Sequence, residues 1–333
     1  MPQPVAVINV VGLTRSLLKH APRLSALGEP TPLTPVLPAV TCSVQASMLT
    51  GRGVEDHGIV ANGWYYRDSA EVRLWARSGH LIQAPPVWAA ARQRDPSVTC
   101  ANLFWRHAAY GSADHILIER PIYRADGRKM QDCYSNHADL RDQLQNELGS
   151  FPLFRFWGPF ADITSSRWIA EATRRVYKKY QPTLTLTYLP HLDYPLQKLG
   201  PDHPDIPGHV QQIDQVAGDL IDFFRGQGVT PIVVSEYGIE AVDRPIEINR
   251  ALRRADLLAI REECGGEHLD YGECRAFAVA DHQVAQVYLH ERWRGDEARR
   301  ADVERICREL PGVETVHRGA HARAGDLVLE AES

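Results

Sequence analysis

The chain is poor in sulfur. It has six cysteines and three methionines in 333 residues. Cys42, Cys100, Cys133, Cys264, Cys274 and Cys307 are scattered, with no C-x-x-C pair. They are too sparse for a disulfide scaffold and read as the scattered reduced thiols of a cytoplasmic protein. Long apolar runs are also missing: none approaches the roughly 18 residues of a membrane span. No excess of positive charge is present, since 37 basic residues face 42 acidic ones for a net charge of −5. A nucleic-acid polymer or an anionic membrane is therefore not an expected partner. The N-terminal MPQPVAVINVVGL lacks the positive segment and cleavage site of a signal peptide and reads as a first strand. No G-x-G-x-x-G follows that strand, which removes a dinucleotide-dependent oxidoreductase.

What is present is ordinary globular composition, 44% hydrophobic and 24% charged. It is enough for one large α/β domain or two smaller ones. VAVINVV at 5–11 is a continuous β-branched run ended by Gly12, the pattern of a strand buried on both faces. TLTLTYL at 183–189 and PIVVSEYG at 231–238 share that character. Between them, Val210, Ile213, Val216, Ala217, Leu220, Ile221 and Phe224 recur at helical spacing, so residues 207–225 form an amphipathic helix stopped near Gly226 and Gly228. Strand, helix and strand make a βαβ crossover. The expected fold is α/β, a mostly parallel central sheet flanked by helices, in a single domain over 1–333.

Residues 63–170 differ, with GWYYRD, FWRHAAY, RPIYRADGRK and FPLFRFWGPF and little periodicity. They read as an aromatic-rich elaboration or lid over the sheet edge. Further on, 276–291 carries two strand-like pieces, 296–309 a helix, and VETVHRG and DLVLEAE two short strands.

Ligands of a doubly wound sheet bind beyond the carboxyl ends of its strands. Those positions here hold His191 and Asp193 after one strand, Glu236 and Tyr237 after another, and Asp281 and His282 after a third. They suit a metal or acid–base site, or equally helix caps and satisfied polar groups. Thr41 opens the helix-like run TCSVQASMLTG. It either caps that helix, or presents a hydroxyl where backbone donors and the positive end of the dipole favour an anion such as phosphate.

The run Thr41–Asn62, TCSVQASMLTGRGVEDHGIVAN, resembles the nucleotide pyrophosphatase/phosphodiesterase branch of the alkaline phosphatase superfamily. The landmarks are Thr41, Thr50-Gly51, His57-Gly58-Ile59 and Asn62, contiguous and at the family's spacing. A bacterial subgroup of that branch is further marked by GWYYRD, ADGRK, FPLFRFWGP, YLPHLDY, SEYGI and AFAVADHQ. The resemblance implies an alkaline phosphatase-like fold with Thr41 as nucleophile. It also implies that Asn62 and the Thr41 N–H hold a phosphoryl oxygen.

It implies divalent metal as well, zinc by family habit, with magnesium or manganese as alternatives and one or two ions left open. The ligand segments depart from the family. Val11 stands where an Asp precedes the first glycine, Gln197 replaces a His, and Glu236-Tyr237 replace Asp-His. Asp193 is retained, Glu236 substitutes for a ligand, and His321 is the nearest match to the last one. His191, Tyr237, Asp281 and His282 are additional candidates for a rebuilt site. Longer members of the subgroup continue past His321, so part of the site is expected to be missing from this chain.

The expected function is metal-dependent hydrolysis of a phosphodiester, pyrophosphate or phosphomonoester through a phospho-threonine. The substrate would be small and phosphorylated, nucleotide or isoprenoid-like. Two rivals stay open. One is a non-enzymatic relative that keeps the phosphate cradle as a binding site or scaffold. The other is a metal-independent transferase or isomerase using Glu236 or His282 as base. Oligomeric state is not readable.

Overall fold

Val5–Val10 forms the strand its β-branched residues demand, with Ala6, Ile8 and Val10 fully buried. In this computed structural model, which describes residues 2–34 and 36–332, it lies inside a six-stranded sheet. The order runs Thr230–Val234, Val5–Val10, Leu184–Leu189, Cys100–Leu103, His115–Glu119, Cys133–Ser135. Five strands are parallel, and the last pairs antiparallel with His115–Glu119. The helix Ile206–Gly226 is the expected crossover, and its strands flank Val5–Val10 on either side instead of pairing with each other. Ile213, Ala217, Leu220 and Phe224 are its buried stripe. The expected α/β sheet is therefore present.

The chain divides into two compact units. The first takes Met1–Pro35, Met48–Gly51 and Arg77–Val242 and contains the whole six-stranded sheet. The second takes Val36–Ser47, Arg52–Ala76 and Asp243–Ser333. It is built on an antiparallel sheet ordered Ala276–Asp281, Val284–Leu289, Leu327–Ala331, Val313–Arg318. The helices Ile248–Arg254 and Glu297–Arg308 bury Leu252, Val303 and Cys307 in this sheet's core.

The stretch 63–170 does more than elaborate an edge. It contributes three of the six central strands. Those strands have only three to five residues, too few for their alternation to register against polar flanks. Its aromatics fill a core: Phe104, Phe151, Phe156 and Trp168 pack with ring centroids 4.7 to 6.1 Å apart. Among the described residues no helix is long and apolar enough to cross a membrane.

Candidate active site

In the second unit, the helix Thr41–Thr50 begins with Thr41 itself. The carbonyl of Val40 accepts the Val44 N–H, so Val40 holds the capping position and Thr41 is the first helical residue. The helix is buried nearly all round, with Thr41 4% exposed and Cys42, Ser43 and Gln45 fully buried. Such burial fixes the direction of its first N–H groups.

One of those N–H groups, that of Cys42, donates to Asn62 Oδ1 at 3.0 Å. The rest of the His57–Asn62 run explains that reach. His57 is fully buried. Its Nδ1 accepts the Ile59 N–H at 3.1 Å, and its Nε2 meets Ser47 Oγ at 2.9 Å. Burial lowers its pKa to about 4, so the ring is neutral and Nε2–H donates to the serine. Gly58 ends the short helix Val54–His57 at φ +70°, a conformation glycine adopts without strain. The chain then turns so that Asn62 comes back to the helix start. His57 fastens, Gly58 turns, and Asn62 reaches.

Asn62 is held in turn by Asp281. The carboxylate accepts the Asn62 backbone N–H at 2.8 Å and the carboxamide Nδ2–H at 3.0 Å. Burial raises the Asp281 pKa, while the bonds from Asn62 and the neighbouring His282 pull it back. His282 is exposed in the hairpin turn, at φ +59°, with Nε2 3.8 Å from Asp281. His321 lies in the loop before Leu327–Ala331, and its Nδ1 accepts the Arg323 N–H at 3.1 Å. Burial and the Arg323 charge lower its pKa.

In the first unit, Asp193 opens the helix Asp193–Leu199 and is 7% exposed. Its two oxygens accept from Tyr237 Oη at 3.2 Å and from Gln197 Nε2 at 2.8 Å. These are the two residues that stand where the resemblance expects histidines. Glu236, also buried, accepts from Asn9 Nδ2 at 2.6 Å. Asn9 is the one polar side chain in the VAVINVV run, a signal the sequence reading passed over. Its Oδ1 is buried without a hydrogen-bond partner among the described residues. His191, just past Leu184–Leu189, is buried beside His209 with ring nitrogens 3.4 Å apart, and burial takes its pKa to about 4.

A zinc pair does not fit these residues. Zinc is normally bound by three or four nitrogen, sulfur or carboxylate ligands. Val11 has no donor atom. Gln197 and Tyr237 turn N–H and O–H toward Asp193, which satisfies the carboxylate without a cation. The orphaned Asn9 Oδ1 is a neutral amide oxygen, a poor zinc ligand. Among the described residues no group of three or more His, Cys, Asp or Glu side chains is placed to hold a metal ion.

Beyond these candidates, the first unit buries a charge cluster at the end of Cys100–Leu103. Arg106, 3% exposed, and Arg77 both donate to Glu119 Oε1, the latter at 3.2 Å. Residue spacing does not signal it, because Arg106 meets Glu119 only once Cys100–Leu103 pairs with His115–Glu119.

The mostly parallel sheet flanked by helices is an α/β fold of the kind the resemblance implies. Residues 5–333 match the family of type I phosphodiesterases/nucleotide pyrophosphatases, and the chain belongs to it. It is 22% identical over 245 residues to an uncharacterized pyrophosphatase/phosphodiesterase of Schizosaccharomyces pombe, covering 71% of this chain and 44% of that protein. The chain thus spans less than half the length of that curated relative. Among solved structures, it is similar to phosphonoacetate hydrolase from Sinorhizobium meliloti 1021 in complex with phosphonoformate. The TM-score is 0.68 at 16% identity, covering 99% of this chain and 81% of that one. It is also similar to murine ectonucleotide pyrophosphatase/phosphodiesterase 5, an inactive threonine-to-alanine variant in complex with AMP. There the TM-score is 0.65 at 17% identity, covering 99% and 79%.

Proposed function

We propose that this chain hydrolyses a phosphoric ester, a phosphodiester or pyrophosphate, with Thr41 as the nucleophile. The observation that carries the reading is the position of Thr41 as first residue of a buried helix whose Cys42 N–H is taken by Asn62. A helix N-terminus is a ready anion site, and fixed donors stabilise a phosphoryl oxygen as charge develops on it. Family membership and the AMP bound by the murine neighbour support a nucleotide-like substrate.

In this reading Thr41 Oγ1 forms a bond to phosphorus and gives up its hydroxyl proton, while the ester oxygen departs with the electron pair of the broken P–O bond and takes up that proton to leave as an alcohol or phosphate. The Thr41 N–H and the second Nδ2 hydrogen of Asn62 hold a non-bridging oxygen throughout. Water then attacks the phospho-threonine, releasing the phosphate product and regenerating the hydroxyl. No step is assigned to a metal, since the donor set described above does not fit the family's zinc pair.

The test is hydrolysis of bis-p-nitrophenyl phosphate and p-nitrophenyl phosphate by wild type and Thr41→Ala, each with Mg²⁺, Mn²⁺, Zn²⁺ or none added. Turnover should fall by about 10³-fold or more in the variant, as when a nucleophile is removed. Equal turnover in both proteins overturns the mechanism. Tight ester binding by wild type with no turnover replaces it with a binding role.

A further inference from the structure

The second unit holds a cavity of about 340 Å³ that neither Thr41 nor Asn62 lines. Four arginines face it: Arg67, Arg294, Arg300 and Arg318. They come from separate elements. Arg67 follows Gly63–Tyr66, Arg294 follows the turn Glu291–Trp293, Arg300 lies on Glu297–Arg308, and Arg318 ends Val313–Arg318. The remaining wall is the loop 319–326, whose glycines and alanines carry nothing beyond Cβ and whose His321, a candidate site residue above, also lines the cavity. Backbone of the loop itself and of the strand Val284–Leu289 packs closely against two of its glycines. A Cβ on Gly319 would meet the Gly325 carbonyl oxygen at 2.0 Å, and a Cβ on Gly325 would meet Val287 N at 2.6 Å.

The charges in this cavity are not balanced. Among the described residues Asp326 is the one lining carboxylate, and it is taken by Arg67 at 2.9 Å. Arg67 also donates to the Leu289 carbonyl and sits over the Tyr288 ring, so it belongs to the framework. The other carboxylates are at the rim. Glu297 meets both Arg300 and Arg318, and Glu291 lies 3.8 Å from Arg294 and 3.9 Å from Arg67. Glu297 and Glu291 are 66% and 69% exposed, whereas Arg300 is only 15% exposed. Water-screened carboxylates at a rim neutralise a recessed guanidinium weakly.

We propose that this cavity binds the phosphate group of a small phosphorylated molecule, held by Arg300 and Arg318 with Arg294 beside them. Guanidinium forks match phosphate oxygens two at a time, and an entering dianion removes the mutual repulsion of the arginines. The small side chains of Gly319, Ala320, Ala322, Ala324 and Gly325 leave room for that anion beside His321, and the exposed carboxylates let Arg318, 66% exposed, swing inward. The cavity stands independently of Thr41 as nucleophile.

Equilibrium dialysis of inorganic phosphate and, separately, AMP against wild type, Thr41→Ala and the pair Arg300→Gln/Arg318→Gln tests it. The arginine variant should lose one bound equivalent, its affinity there falling about tenfold or more, the value of a lost charge-assisted bond. Ester hydrolysis should persist in that variant, and Thr41→Ala should keep the equivalent. Loss of the AMP equivalent alone assigns the cavity to a nucleotide phosphate, and loss of both assigns it to phosphate of either source. Undiminished binding of both ligands by the arginine variant overturns the proposal. Arg318→Glu, at an exposed position, gives the same reading if the double variant does not fold. An inactive wild type that still binds the equivalent leaves this cavity assigned and removes the Thr41 mechanism.

Discussion

Asp281 spends both carboxylate oxygens on one residue, taking the backbone N–H and the side-chain N–H of Asn62 at 2.8 and 3.0 Å. Asn62 in turn places its oxygen on the Cys42 N–H. A hairpin of the antiparallel sheet thereby fixes the carboxamide at the start of the Thr41 helix, all inside one unit. Asp281 thus clamps Asn62 at both its backbone and its side chain.

Asp281→Ala should therefore leave the protein folded and lower kcat by about 10²-fold, the cost of misplacing a reacting group by roughly an ångström. Asn62→Ala and the double variant should then fall little further than either single change, because the two residues act as a unit. A kcat/KM comparison of the four proteins checks this. Independent, multiplicative losses would show that Asp281 does not work through Asn62.

Acid should loosen the fold through His57. Its native pKa of about 4 lies below the ordinary 6.5, so the unfolded chain binds the proton more tightly. The stabilisation is complete above pH 6.5 and is lost as pH falls toward 4, on the order of 1–3 kcal/mol. Urea unfolding from pH 7.5 to 4.5 measures it. His57→Gln should lower stability at pH 7 and flatten the slope, and an unchanged slope would place the titration elsewhere.

Zinc should not stay with the purified protein. Asp193 is satisfied by Gln197 and Tyr237, so dialysis against a chelator should change neither its melting temperature nor its metal content. Putting histidines at both positions, Gln197→His with Tyr237→His, should instead create a retained zinc ion. Metal analysis of the two proteins after gel filtration decides. A wild type that elutes with stoichiometric zinc is the contrary result.

Glu119 carries two arginines in the core of the first unit and is fully buried. Glu119→Ala leaves Arg106 charged and enclosed, so unfolding free energy should drop by about 3–5 kcal/mol. Denaturant melts give the value. A loss under about 1 kcal/mol, typical of an exposed pair, would mean that the cluster is water-screened.

Much of the sheet could be read directly. Val5–Val10 and Leu184–Leu189 are buried on both faces and rich in β-branched residues and leucine, and such runs stand out in any order of reading. The short strands Cys100–Leu103 and Cys133–Ser135 did not stand out, since few residues carry no period and pairing alone makes them strands. The Thr41–Asn62 landmarks were legible as a contiguous run. Their division of labour was not: that His57 fastens to Ser47, or that Asn62 meets Cys42, depends on where the helix start and the loop return in space.

The order of residues by itself determined the parallel sheet, its crossover helix and the threonine at a helix entrance, because those rest on local periodicity and chain direction. Only the tertiary structure decided which polar groups satisfy one another. Asp193 with Tyr237, Asp281 with Asn62 and Arg106 with Glu119 are separated by 44, 219 and 13 positions. A buried charge is stabilised by whichever donor folding brings within about 3 Å, and sequence spacing does not encode that distance.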